Sequence, residues 1–163
     1  MREVLFRGKT LDGRWVEGSY GHSTIIGEDT YVAAVIYSND TNLFTADWDE
    51  VIPETVGQYT GLTDKNGKKI FEGNIVQYQT FDDFDCQSVV KFGKYKQDGS
   101  SGEYSGTKCI GFYVEVDNFT CPDWCDDEPE CFPNYMWQQN ILEVASECEV
   151  IGNIYDNPEL LSN

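Results

Sequence analysis

Chemistry in this chain, if there is any, has few residue types to use. Cys121, Cys125 and Cys131 form a C-x3-C-x5-C cluster. Three thiolates in eleven residues suit zinc, with Cys109 or Cys148 as a fourth ligand. Structural zinc sites usually pair C-x2-C knuckles, and this spacing does not match them, so the expectation is free thiols. If zinc binds, it staples a loop and takes no part in catalysis. Asp82, Asp83 and Asp85, and the group Asp123, Asp126, Asp127, Glu128 and Glu130, lack the ligand order and central glycine of a calcium loop. His22 is the only histidine, between Gly21 and Ser23, and reads as a loop residue rather than a catalytic base. No G-x-S-x-G, phosphate-binding loop or G-x-G-x-x-G occurs. With 29 Asp and Glu in 163 residues, paired carboxylates arise by chance. The expectation is no enzyme, no catalytic residue and no cofactor.

Charge says more. The net charge is −18, and it is unevenly spread. From Cys109 to Asn163 there are twelve Asp or Glu and no Lys, Arg or His, whereas the first 108 residues hold all eleven Lys and Arg. Such a field repels nucleic acid and anionic membranes and favours a basic partner. The bland alternative is that the charge maintains solubility. In the last third Trp124 and Trp137 stand beside the acids Asp123, Asp126, Asp127, Glu128 and Glu130. Exposed, they would anchor a partner within an acidic rim; buried, they are core. For Trp124 the two readings stand level.

The elements that must position these residues are mainly strands. Aromatics make up 14%, with Tyr and Phe dominant, which favours β structure. Val4, Phe6 and Gly8 alternate with charge as a half-buried strand does. Asp12-Gly13 is a hairpin turn, and Arg14 to Tyr20 returns, with Gly18 and Gly21 loosening it. Thr30 to Tyr37 is a buried strand, and Leu43 to Trp48 another. Pro53 and Gly57 mark a boundary. Asp64 to Gly67 is a turn, Lys69 to Phe71 a short strand, Glu72-Gly73 a redirection, and Ile75, Val76 and Tyr78 a core-facing strand. Cys86 to Phe92 is a strand, Lys94 to Lys108 a mobile loop, and Ile110, Phe112, Val114 and Val116 one face of the next strand. Asp117 to Pro133 is an irregular acidic excursion. Asn134 caps a helix from Tyr135 to Val144. Glu149 to Tyr155 closes the chain's strands, and Pro158 opens a last turn that tucks Leu160 and Leu161 inward. Cys86, Cys109 and Cys148 are small core residues. The division expected is a β subdomain over 1–56 packed on a small, strongly bent SH3-like barrel over 57–163, with an acidic insertion at 97–139.

The stretch Gly57 to Val76, GQYTGLTDKNGKKIFEGNIV, resembles the signature of the YopX family of phage and prophage proteins. The opening MREVLFRGK and the closing EVIGNIYDNPELL resemble that family's ends, so the likeness spans the chain. Asn74 departs from it, standing where an aspartate is expected. So does the long acidic stretch from Gln97 to Gln139. The resemblance implies a mainly β protein with an SH3-like barrel in its second half, and it supplies no catalytic residues.

These readings converge on a non-enzymatic accessory protein of a phage or prophage that acts by binding a protein. The lack of an apolar leader and of any long apolar run points to the bacterial cytoplasm, away from membranes. The sharper form is an acidic mimic of nucleic acid that inhibits a host nucleic-acid-binding or defence protein. The rival class is a structural protein that self-assembles through exposed barrel edges and the Thr30–Tyr37 strand, with no host target.

Overall fold

A computed structural model describes residues 4–25, 31–37, 47–79, 85–97, 107–120 and 138–161. The chain is mainly β and forms two compact units, Met1–Gly61 and Leu62–Asn163.

In the first unit, strands β1 (Phe6–Lys9), β2 (Trp15–Ile25), β3 (Tyr31–Tyr37), β4 (Trp48–Glu50) and β5 (Gly57–Thr63) lie in the order β4-β3-β2-β1-β5. The Asp12-Gly13 turn forms as its composition dictates. Gly13 takes φ +90 and donates its N–H to the Thr10 carbonyl at 2.9 Å. The Thr10 hydroxyl and the Arg14 guanidinium hold the Asp12 carboxyl down at about 2. The apolar run of β3 is buried throughout Ala33, Ala34, Val35 and Ile36. A run apolar at consecutive positions has to be covered on both faces. Ala34, Ile36 and Val51 form this unit's core, with Phe6, Val16, Tyr20 and Val56 packed on it.

Several expectations change here. Alternation holds for Phe6 and Gly8 but not for Val4, which is 59% exposed; Leu5 is buried instead, its carbonyl accepting from Tyr59 N at 2.8 Å. Gly18 does not loosen β2. It is the residue at which β2 passes from pairing with β1 to pairing with β3, and a Cβ there would lie 1.9 Å from the Tyr37 carbonyl oxygen. Only glycine permits that approach. Trp48 begins β4 rather than ending a strand, and residues 43–46 lie outside the described residues. Strand β3 does not offer itself for pairing between copies along its second half. Val35–Tyr37 are paired to β2 on one side and to β4 on the other.

Strand β5 continues past Gly61 and pairs with β6 (Lys69–Phe71). Then come β7 (Asn74–Gln79), β8 (Asp85–Gln97), β9 (Thr107–Thr120), β10 (Gln138–Asn140), the one-turn helix α1 (Ile141–Val144), β11 (Glu149–Asn153) and a 3-10 turn, Pro158–Leu161. Five of these strands form a sheet in the order β10-β9-β8-β7-β11. Ile70, Val76, Tyr78, Val90, Val114, Ile141 and Val150 are in its core, together with Cys86 and Cys148. Ile75 is fully buried as well.

Long-range pairing overrides local reading in three places. The polar stretch around Lys94 and Lys108 is strand, with Lys94 opposite Ile110 and Lys96 opposite Lys108. Residues 118–120, expected to be irregular, are paired with the start of β8, and Asp117 is the extra residue at the register break. The expected helix from Tyr135 is strand at Gln138–Asn140, and the cap is Asn140, whose side chain accepts from Leu142 N at 2.9 Å. Helix propensity over that stretch yields to pairing with Tyr113, Val114 and Glu115 of β9. Ile110 is 72% exposed although Phe112 and Val114, on its face, are buried; the face leaves the core toward the hairpin end. Leu160 and Leu161 are half-buried.

Candidate interaction site

The stretch most characteristic of the sequence turns out to be a clasp. Asp64 is buried, and both of its oxygens face backbone donors. Oδ1 accepts from Asn66 N and Lys68 N, each at 2.9 Å. Oδ2 accepts from Val150 N at 2.9 Å. Burial alone would push this carboxyl up; the three N–H donors outweigh it and hold it below the usual range. The turn around it is closed by Gly67 N to Asp64 O at 2.9 Å, with Gly67 at φ +81. Lys65 N reaches Cys148 O at 3.0 Å, Lys68 Nζ reaches Val150 O at 3.2 Å, and the Lys65 ammonium pairs with Glu149 at 2.9 Å.

Asn74 repeats the arrangement one turn later. Its Oδ1 accepts from Phe71 N at 2.8 Å and its Nδ2 donates to Gly152 O at 3.1 Å. The amide thus ties the Glu72-Gly73 redirection to β11. Both polar side chains spend their bonding capacity on backbone groups, so this stretch builds the fold and leaves no reacting atom in either.

A second polar network spans β8, β9 and β10. The Lys91 ammonium meets Glu115 at 2.7 Å, Gln138 Nε2 donates to the other Glu115 oxygen at 3.1 Å, and Gln138 Oε1 accepts from Lys96 N at 2.9 Å. Lys91 holds the Glu115 carboxyl below its ordinary range against partial burial. Asn140 Nδ2 donates to Tyr95 Oη at 3.0 Å. Gly93 faces Gly111 across the strands, and the tyrosines on either side of that gap, Tyr95 and Tyr113, stack with centroids 5.0 Å apart. Sequence reading missed this network. Its hydrogen-bonded partners are more than twenty residues apart, and only the strand register brings them together.

The residues singled out for chemistry fall as follows. His22 is on strand β2, not in a loop, exposed opposite Ala34 and with Nε2 3.5 Å from Tyr20 Oη. Cys86 and Cys148 are buried, and burial pushes both thiols up to about 11. They are unreactive core residues. Cys109 is half-buried. Asp85 is exposed at the start of β8. Asp82 and Asp83, the cluster Cys121, Cys125 and Cys131, and Asp123, Trp124, Asp126, Asp127, Glu128, Glu130 and Trp137 lie outside the described residues. Among the described residues no group of three His, Cys, Asp or Glu is placed to hold a metal ion, and no helix is long and apolar enough to cross a membrane. Elemental analysis of protein purified without chelator reads the cysteine cluster directly. The free-thiol reading expects no stoichiometric zinc, and one zinc per chain, lost in Cys121→Ser, reverses it.

The described part of the acidic last third is open to solvent at Glu143, Glu147, Asp156 and Glu159. On α1, Leu142 stands 65% exposed, while Ile141 and Val144 of the same turn are buried.

A comparison with curated proteins gives no match. Among solved structures, protein EF1440 from Enterococcus faecalis, known from a crystal structure, is similar at 20% identity, covering 99% of this chain and 100% of that one, with a TM-score of 0.43. The family model described as YopX protein matches residues 5–162, which include the clasp and every strand from β1 to β11. The chain belongs to the YopX family.

Proposed function

We propose that this protein is a non-enzymatic accessory protein of a phage or prophage, working in the bacterial cytoplasm by binding a host protein with a basic surface. Membership of the YopX family suggests the phage setting. The observation that carries the binding role is the charge distribution, twelve carboxylates and no cation from Cys109 onward. Among the described residues of that last third, Glu143, Glu147, Asp156 and Glu159 are exposed. In its sharper form the carboxylates stand where phosphates of a nucleic acid would lie, and the host target is a nucleic-acid-binding or defence protein. The five-stranded sheet of the second unit serves as the platform, closed as an SH3-like barrel. Support for strong bending comes from the register breaks at Gln87/Ser88 and Val150/Gly152, which bend strands.

The test is the quadruple amide variant Asp126→Asn, Asp127→Asn, Glu128→Gln, Glu130→Gln. Its melting temperature should match that of the parent. Affinity for a partner captured from host lysate should fall, and the dependence of binding on salt should become shallower. Unchanged affinity with an unchanged salt slope returns the charge to a solubility role, and no salt-sensitive binder at low salt counts heavily against the proposal.

A further inference from the structure

The outer end of the β8–β9 hairpin carries a feature at odds with the rest of the chain. Its register puts Phe92 opposite Phe112, Lys94 opposite Ile110 and Lys96 opposite Lys108. Directly opposed residues share a face, and so do residues two apart on one strand. Phe92, Lys94, Lys96, Lys108 and Ile110 therefore line one side of the hairpin over about 13 Å. All five are exposed, Phe92 at 53% and Ile110 at 72%. Among the described residues no acid shares this face; Glu115 lies on the other, paired with Lys91. Like charges set directly opposite each other are destabilising, and Lys96 with Lys108 is such a pair. The fold thus maintains a cationic, apolar ridge on a protein of net charge −18.

The same chain carries the complement. On α1 Leu142 and Glu143 are exposed, Glu147 is exposed just after the helix, and no Lys, Arg or His occurs from Cys109 onward. We propose that the Phe92–Lys94–Lys96–Lys108–Ile110 ridge of one copy docks the Leu142–Glu143–Glu147 face of a second copy. Leu142 sits against Phe92 and Ile110, and the two carboxylates meet the lysines. The two patches differ, so copies either pair reciprocally about a two-fold axis, ridge on face twice, or repeat head-to-tail into rings or a chain. Net repulsion between strongly acidic copies keeps it weak and the assemblies small. The contact uses no residue of the stretch 121–137.

Sedimentation of the full-length chain at about 0.15 M salt tests it. Wild type should associate reversibly with a dissociation constant on the order of 10–100 µM. Lys94→Glu with Lys108→Glu should weaken association by at least about tenfold, and so should Glu143→Lys with Glu147→Lys. Each double variant reverses one patch and leaves the other as it was, so an equimolar mixture of the two should regain wild-type association. Recovery in the mixture also shows that both variants are folded. Wild type monomeric to about 100 µM overturns the proposal. So does association unaffected by either double variant, or a mixture that stays monomeric. Wild type that is monomeric yet binds a single-stranded DNA oligonucleotide, with binding lost in the ridge variant, would assign the ridge to nucleic acid instead.

Discussion

Replacing Asp64 by alanine should lower stability by about 3–5 kcal/mol, because a buried N–H left without its acceptor costs about 1–3 kcal/mol and three lose theirs together. The three are Asn66 N, Lys68 N and Val150 N. The first two belong to an exposed turn, where water replaces part of the loss, whereas the buried Val150 N–H has no such substitute. Asp64→Asn should fall between, since its Oδ1 still serves the turn while an NH2 group faces Val150 N. The effect carries a pH signature. Asp64 titrates below its ordinary range in the folded chain. A depressed carboxylate contributes stability that is fully present above its unfolded pKa of about 4 and is lost as pH falls through the folded value. Denaturant unfolding at pH 7 and on the acid side measures both. The wild type should weaken on acidification, and the gap to Asp64→Ala should narrow as it does. A gap that stays constant with pH, or a loss under about 1 kcal/mol, would mean the clasp does not hold β11 in place.

Asn74→Asp should have the opposite pH dependence. Aspartate at this site keeps the acceptor for Phe71 N but sets a second carboxylate oxygen against Gly152 O, where the amide now donates at 3.1 Å. The position is almost fully buried. Breaking a buried polar pairing and leaving a charge costs about 3–5 kcal/mol, and protonation relieves part of it because the neutral acid donates to Gly152 O. The new carboxyl therefore titrates above its ordinary range. Such a group is least costly below its unfolded pKa of about 4, and the loss grows as pH rises toward and through the folded value. Unfolding curves at pH 4 and pH 7 decide it. Aspartate is also the residue that the family resemblance leads one to expect here, which sharpens the test. Equal stability at pH 7 would require the redirection at Gly73 to offer another donor.

How much of this was legible in the sequence depends on the range of the interaction responsible. Gly67, Gly13 and the buried run of β3 follow from local rules: a turn that needs positive φ, a strand apolar at every position. The short strand Lys69–Phe71 and the core positions Ile75, Val76 and Tyr78 are local in the same sense. Gly18 looked like looseness because nothing nearby reveals that Tyr37 O will lie against it. Asn140 was passed over as a cap because three residues before α1 are claimed by β9, a pairing that no helix rule contains. The lysines at 94, 96 and 108 read as loop residues from composition, and only the β8–β9 register sets them on one face. For the candidate site, the charge asymmetry was plain from counting, whereas the role of Asp64 was not, since its decisive partner is Val150.

That last partnership bears on how the chain is made. Asp64 and Val150 are 86 residues apart, and Lys68 meets Val150 across 82 and Asn74 meets Gly152 across 78. Strands β1 to β4 pair only among residues before Gly61, so their sheet has its partners early. The central hairpin does not. At about 5–20 residues per second on the ribosome, Asp64 waits roughly 4–17 s for its third donor to be synthesised. Until then its carboxylate has only the two N–H groups of its own turn. A chain that stops short of Val150 therefore displays the family's most distinctive stretch without completing it, and a quality-control protease has its best opportunity in that interval.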